Sequence, residues 1–342
     1  MSRVTIYDRF GILIAEMDVL IKRSWVKNNY GTATFSLSTI DSKCRREIIE
    51  FSNHILIQHD KLPDWGGVIM TPRSWGNGAV NITAYSAMWK YKRIRSNGGT
   101  RIFQTPASFI VRLIERINAY GDARIRAGSS LDGTGMYSLA MSDSGTMYDT
   151  LKTMVDAFPY YWIDFIPGFD DSNRLIFNAT WSKYNTDVVA TTLEEGNNIE
   201  ALDPILTEQG DIINDLRTAS AGISLEDKQE NALLDQASID YYGKGSRTEN
   251  LTTNSKYGGS GTPYEETLAR LNWYKQPRKL YNFKVLDIGN AWRDVRIGTL
   301  MPLRLYNVGF QGSGFGASGS VRVIGMVFSE DGRLETVCEE ST

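Results

Sequence analysis

Histidine is nearly absent, since only His54 and His59 occur in 342 residues. They stand five apart in a predicted strand, where odd spacing turns them to opposite faces, so they do not share a metal ion. A structural or surface role is the expectation for both, because a histidine base needs an orienting partner. Cysteine is equally scarce. Cys44 and Cys338 lie near opposite ends without metal-ligand spacing, which excludes a disulfide scaffold and predicts two free thiols. A basic excess is missing as well: the net charge is -3 and the pI about 5.6. Tight nucleic-acid binding through phosphate neutralisation is therefore disfavoured, and no sequence-specific DNA or RNA contact is expected. No apolar run is long enough for a transmembrane helix. The most apolar early stretch, Phe10 to Ile21, is broken by Glu16 and Asp18 and lacks the basic lead of a signal peptide.

The chain is long enough for two or three domains, and its 42% hydrophobic and 23% charged residues suit a folded protein. Its first hundred residues read as strands: Val4 to Tyr7, Gly11 to Ala15, Val19 to Val26, Ala33 to Leu37 and Ile55 to Gln58. Val68 to Trp75 and Ala79 to Tyr85 form a predicted hairpin through Gly76-Asn77-Gly78, residues that tolerate the positive φ of a tight turn. Helical signals follow. Thr105-Pro106 marks a start, and Phe109, Ile110, Leu113, Ile114 and Ile117 recur at helical spacing. A second helix is predicted from near Ser144 to Phe158, before Pro159. Two strands, Tyr160 to Ile166 and Arg174 to Trp181, flank a turn-rich loop. Strands return at Ile212-Ile213, Leu216 to Ala219, Gly222 to Leu225 and Ala237 to Tyr242. Thr262 and Glu265 form a predicted capping box for a third helix, and strands at Leu280 to Leu286, Thr299 to Val308, Val321 to Phe328 and Leu334 to Cys338 close the chain. The glycine- and serine-rich stretches Ser96 to Gly99, Thr252 to Gly261 and Gly309 to Ser320 read as exposed loops. The expected fold is mainly β with inserted α: a small tube-like β-barrel over 1–98, a mixed α/β domain over 99–205, and a second barrel over 206–342 with a helix near 262–276.

No constellation points to a reaction. Asp170 with Asp171 is explained by a turn, and Glu194 with Glu195 and Glu339 with Glu340 are sequence neighbours whose side chains diverge in a strand. The run from Gly309 to Ser320 has a strand on each side and no following lysine, so it is a hairpin tip rather than a phosphate loop. Trp89 to Arg95 interleaves aromatic and basic residues. Read as a strand, it places Trp89, Tyr91, Arg93 and Arg95 on one face, suited to a domain or subunit boundary or, less well, to stacking on bases. No residue is assigned a catalytic, cofactor-binding or metal-binding role.

Trp25, the run from Asn28 to Leu37, Trp65 to Ile69, Ile82 to Ser86 and Arg93-Ile94 form one set of motifs, and Ala237 to Gly243, Tyr264 to Leu271, Ile297-Gly298 and Arg322 to Gly325 a second. In this order they resemble the first and second barrels of the tail-hub family of tailed bacteriophages. The resemblance implies a structural virion protein, made in the host cytoplasm and placed at the tail tip or baseplate hub. A homotrimer would continue the tail tube and gate DNA passage, with a distal tail or tube protein, a tape-measure protein and a central fibre or spike as partners. It implies neither enzymatic activity nor a cofactor, and the end of the chain at Thr342 leaves no room for a lytic or fibre extension. The alternatives are a carbohydrate- or receptor-binding tail module, from the surface Trp and Tyr content, and a polysaccharide-degrading enzyme.

Overall fold

The computed structural model describes residues 2–96, 102–119, 121, 123–131, 137–139, 145–156, 158, 161–184, 186–220, 230–251, 263–308 and 317–341. Its N-terminal part is an antiparallel strand set: β1 (Arg3–Tyr7), β2 (Leu13–Asp18), β3 (Ile21–Val26), β4 (Thr32–Ser38), β5 (His54–His59), β6 (Leu62–Gly76) and β7 (Ala79–Ser86), in the order β2-β1-β5-β6-β7-β4-β3. The β6–β7 hairpin turns where it was predicted. Asn77 and Gly78 both take positive φ, +51° and +72°, as a two-residue type I′ loop requires. Alternation sorts the side chains. Val4, Ile6, Ile55, Ile57, Phe35, Leu37, Val80 and Ile82 fill one interior, while Tyr7 and Leu56 point the other way into a second core. Burial on both faces is why β5 reads as an unbroken apolar run rather than an alternating one.

That second core belongs to the middle layer. After a 3-10 helix (Ala87–Arg93) come β8 (Ile102–Gln104), α1 (Pro106–Asn118), β9 (Ile125–Leu131), β10 (Tyr137–Leu139), α2 (Met147–Asp156), β11 (Tyr161–Phe169) and β12 (Leu175–Lys183). Thr105 caps α1 by accepting from the Ser108 amide at 3.1 Å, and all five residues of the predicted stripe are buried. They pack with α2 over the β11-β12-β9 sheet. The 3-10 helix corrects the predicted strand from Trp89 to Arg95. Ala87, Met88 and Tyr91 turn inward on one side, and Trp89 stacks on Tyr85 at 5.3 Å. The helix thus parts Trp89 and Tyr91, which a strand would have set on one face.

The C-terminal part contains β13 (Leu193–Glu194), β14 (Ile199–Gln209), β15 (Asp215–Ala219), β16 (Glu230–Leu234), α3 (Gln236–Tyr242), β17 (Ser246–Asn250), α4 (Pro263–Tyr274), β18 (Arg278–Val285), a 3-10 helix (Ile288–Arg293), β19 (Leu300–Leu305), β20 (Ala317–Ser329) and β21 (Arg333–Glu340). Strands β14-β18-β21-β20 continue through β19 and β13 and enclose their own core, with Phe283, Val285, Met301, Leu303, Val323 and Leu334 inside. This set reaches back to Leu193, upstream of the expected boundary at 206. Residues 237–242 form α3, not the predicted strand. Asp235 caps it by accepting from the Ser238 amide at 2.9 Å, and Gly243 ends it at φ +84°. The β16-β15-β17 sheet and α4 make a small satellite core around Ile213, Leu216 and Leu271. The predicted strand at Gly222 to Leu225, the Thr262–Glu265 capping box, the start at Ser144, the stop at Pro159 and most of the glycine-rich runs lie outside the described residues or side chains.

The two barrel-like sets are fused. β3 pairs antiparallel with β20, from Gly325↔Val26 to Ser329↔Lys22, giving one 13-stranded sheet with β2 at one end and β14 at the other.

Candidate assembly interface

A sheet that ends must manage its unpaired backbone groups. The two ends here differ. β14 is interrupted between Ala201 and Leu206 by a register shift that contains Pro204, and it carries Glu200, Asp203 and Glu208, all devices that discourage further pairing. β2 has no proline and no lysine, and Leu13 and Ile14 are exposed on it. Phe10, Ile12 and Phe169 extend the apolar surface. The approach to β2 is fixed in place: Asp8 accepts from the amides of Phe10 and Ile12, each at 2.8 Å. Gly11, at φ +82°, lies so close to β12 that a Cβ would sit 2.5 Å from the Leu175 carbonyl oxygen. The result is an edge whose first half is rigid and apolar, while its second half carries the exposed Glu16 and Asp18.

The barrel junction is held by more than the β3–β20 ladder. Lys27 meets Glu339 at 3.1 Å and Arg278 meets the same carboxylate at 2.7 Å, with Glu339 nearly buried. Burial lowers the Lys27 pKa, and Glu339 opposes that effect. Lys61 pairs with Asp287, and Arg296 donates to the Lys61 carbonyl at 3.2 Å. At the seam, Arg23 is completely buried. Its guanidinium lies 5.2 Å from the Trp25 ring centre and 5.4 Å from that of Phe328, and among the described residues none of its nitrogens has a hydrogen-bond partner. Burial pushes its pKa down to about 10.

The residues weighed in the sequence are placed apart. His54 packs edge-on to Phe177 in the middle layer and contacts Lys90, whereas His59 packs on Trp292 and Phe328 of the C-terminal set. Asp170 closes the β11–β12 turn, accepting from the Ser172 and Arg174 amides and pairing with Arg124, and these bonds lower its pKa, the Arg174 amide foremost. Glu194 bonds the Tyr306 hydroxyl, and Glu195 bonds the Asn307 side chain at 2.7 Å and two amides, so both are held in their charged form by hydrogen bonds. Glu340 pairs with Lys279. Asp171 is an exposed turn residue, and each of the other carboxylates is bonded to a local partner of its own. Among the described residues no group of three or more His, Cys, Asp or Glu could hold a metal ion, and no helix is long and apolar enough to cross a membrane. The sequence reading identified the strand at β2 but not its role as an edge, because strand order is a long-range property.

No protein-family model matches the sequence, and no curated protein does either. Solved structures do. The prophage tail protein gp18 from Listeria monocytogenes EGD-e is similar with a TM-score of 0.56 at 8% identity, over 99% of this chain and 94% of that one. The 43 kDa tail protein of prophage MuSo2 from Shewanella oneidensis gives 0.57 at 10% identity, over 99% and 98%. A tail protein from Neisseria meningitidis MC58 gives 0.56 at 9% identity, over 100% and 96%. The chain therefore shares the fold of prophage tail proteins from end to end.

Proposed function

We propose that this chain is a structural, non-catalytic tail protein of a bacteriophage, acting as the hub that joins the tail tube to its distal tip. In this reading three copies close a ring, each contributing its two barrels to a tubular wall. The neighbours are a distal tail or tube protein, a tape-measure protein and a central fibre or spike, and DNA passes once the tip opens. The observation that carries the reading is the fusion of two barrels through β3 and β20 into one sheet, in a fold shared over its whole length with three prophage tail proteins. The β2 edge supplies the contact with a second copy, since pairing there covers both its free backbone groups and Leu13 and Ile14.

Light scattering on the purified protein tests this. Three chain masses are expected for the natural sequence, and one for an Ile12→Lys, Ile14→Lys variant with unchanged circular dichroism. A natural chain that stays monomeric at every concentration, alone and with tail-tube protein, would refute the reading.

A further inference from the structure

Where β3, β6, β11 and the loop before β19 meet, the fold leaves a recess of about 290 Å³. Its walls are largely apolar, built from Trp25, Trp65, Met88, Trp162, Phe165 and Ile297. Four charged residues border it: Lys27, Asp64, Asp164 and Arg296. The cations are already committed. Lys27 pairs with Glu339 at 3.1 Å, and Arg296 donates to the carbonyls of Trp292, Val295 and Lys61 at 2.7, 2.8 and 3.2 Å. The carboxylates are not. Asp64 accepts from the neutral Gln58 amide at 3.1 Å and feels the Arg23 charge from a distance. Among the described residues Asp164 accepts from the Phe165 amide alone, at 2.8 Å, and no charged group contributes to its titration. Neither carboxylate is in an ion pair among the described residues.

Asp164 alternates with the buried Ile163 and Phe165 on β11, and its side chain is exposed to solvent where it borders the recess. The protein packed around it raises its pKa, against the lowering effect of the Phe165 amide. It is therefore a fixed negative charge at the side of an aromatic recess, with which an entering cation can pair without displacing a protein cation. Aromatic walls add to the attraction, since the faces of tryptophan rings draw positive charge.

We propose that this recess is a binding site for an organic cation, an alkylammonium or alkylguanidinium group, with Asp164 as its counter-ion and Trp25 and Trp162 as its aromatic walls. The group could be carried by a free amine or by a lysine or arginine side chain of another protein. The chemistry is the same for both. A bound cation would touch the first barrel, the middle layer and the second barrel together, and so would clamp the three against one another. This inference does not depend on the hub reading, and its test uses the isolated full-length chain.

Tryptophan fluorescence, followed during titration at pH 8 with n-butylamine, with the peptide N-acetyl-Gly-Lys-Gly-amide and with n-butanol, provides the test. The expected result is a saturable response to one or both amines, accompanied by a rise in melting temperature, and none to the alcohol. A response to the peptide alone identifies a protein side chain as the ligand, whereas a response to butylamine identifies a free amine as sufficient. Asp164→Asn, which keeps an acceptor for the Phe165 amide, should weaken binding at least about tenfold, as loss of a charge-assisted bond does. Asp164→Ser is the second variant should the first fail to fold. Binding should also weaken on acidification, as the carboxyl group takes up a proton. Equal binding of butanol, affinity unchanged in both folded variants, or no response to either amine would each overturn the proposal.

Discussion

Replacing Arg23 with methionine should make the protein more stable, although it removes a charged residue from the centre of the molecule. The arginine is fully buried at the β3–β20 seam, and among the described residues none of its nitrogens has a hydrogen-bond partner. What favours it is its position over the Trp25 and Phe328 rings, each contact worth about 0.5–2 kcal/mol. Against that stands desolvation. Lowering the pKa from the ordinary arginine value to about 10 corresponds to roughly 3 kcal/mol disfavouring the charged form. For an arginine the folded-state pKa lies below the unfolded one, so this penalty is complete below about pH 10 and fades only above it. Methionine has a similar reach, keeps a sulfur–aromatic contact of about 0.3–1.5 kcal/mol and carries no charge. The net gain should be about 1–3 kcal/mol, in the range found when buried charges give way to apolar residues of similar volume. Urea unfolding followed by tryptophan fluorescence reads it directly, because Trp25 is beside the substituted position. A loss of 2 kcal/mol or more would show that the guanidinium is held by partners the geometry does not reveal, and would refute the reasoning.

Two further expectations concern the same core. Gly298, at φ +83°, backs onto Trp162 so closely that a Cβ would lie 2.0 Å from the ring, so Gly298→Ala should cost about 2–3 kcal/mol and shift the tryptophan emission; an unchanged melt would contradict this. Cys338 is buried with its thiol pKa pushed up by burial, whereas Cys44 is partly exposed. A maleimide should therefore label one thiol per native chain quickly and the second only on unfolding, and two fast labels would be the contrary result.

Much of the local structure was legible in the sequence because its signals are local. Asn77-Gly78 fixes a turn, and Thr105-Pro106 with its apolar stripe fixes α1, whatever surrounds them. The misreadings occur where two periods fit the same residues. Ala237, Ile239 and Tyr241 alternate like a strand, yet only Ser238 is buried in α3, so the apolar pattern there reports no buried face. In the 3-10 helix (Ala87–Arg93), the lysine of an apparently exposed basic run, Lys90, is buried against His54 and the Ala123 carbonyl. Nothing local announces either contact. The β3–β20 ladder joins residues some 300 positions apart, and antiparallel pairing leaves no mark on either strand. The recess was hidden for the same reason, since Trp25, Trp65 and Asp164 lie on β3, β6 and β11, strands far apart in the chain that meet only in the folded protein.

The satellite of β15, β16, β17, α3 and α4 leaves and rejoins the main sheet at a single place, because Gln209 at the end of β14 and Arg278 at the start of β18 face each other across neighbouring strands. An excursion anchored at one doorway can be swapped, shortened or enlarged without disturbing the ladder behind it. Variation in this lineage should therefore collect in that appendage, leaving the wall itself conserved in shape even where its sequence drifts.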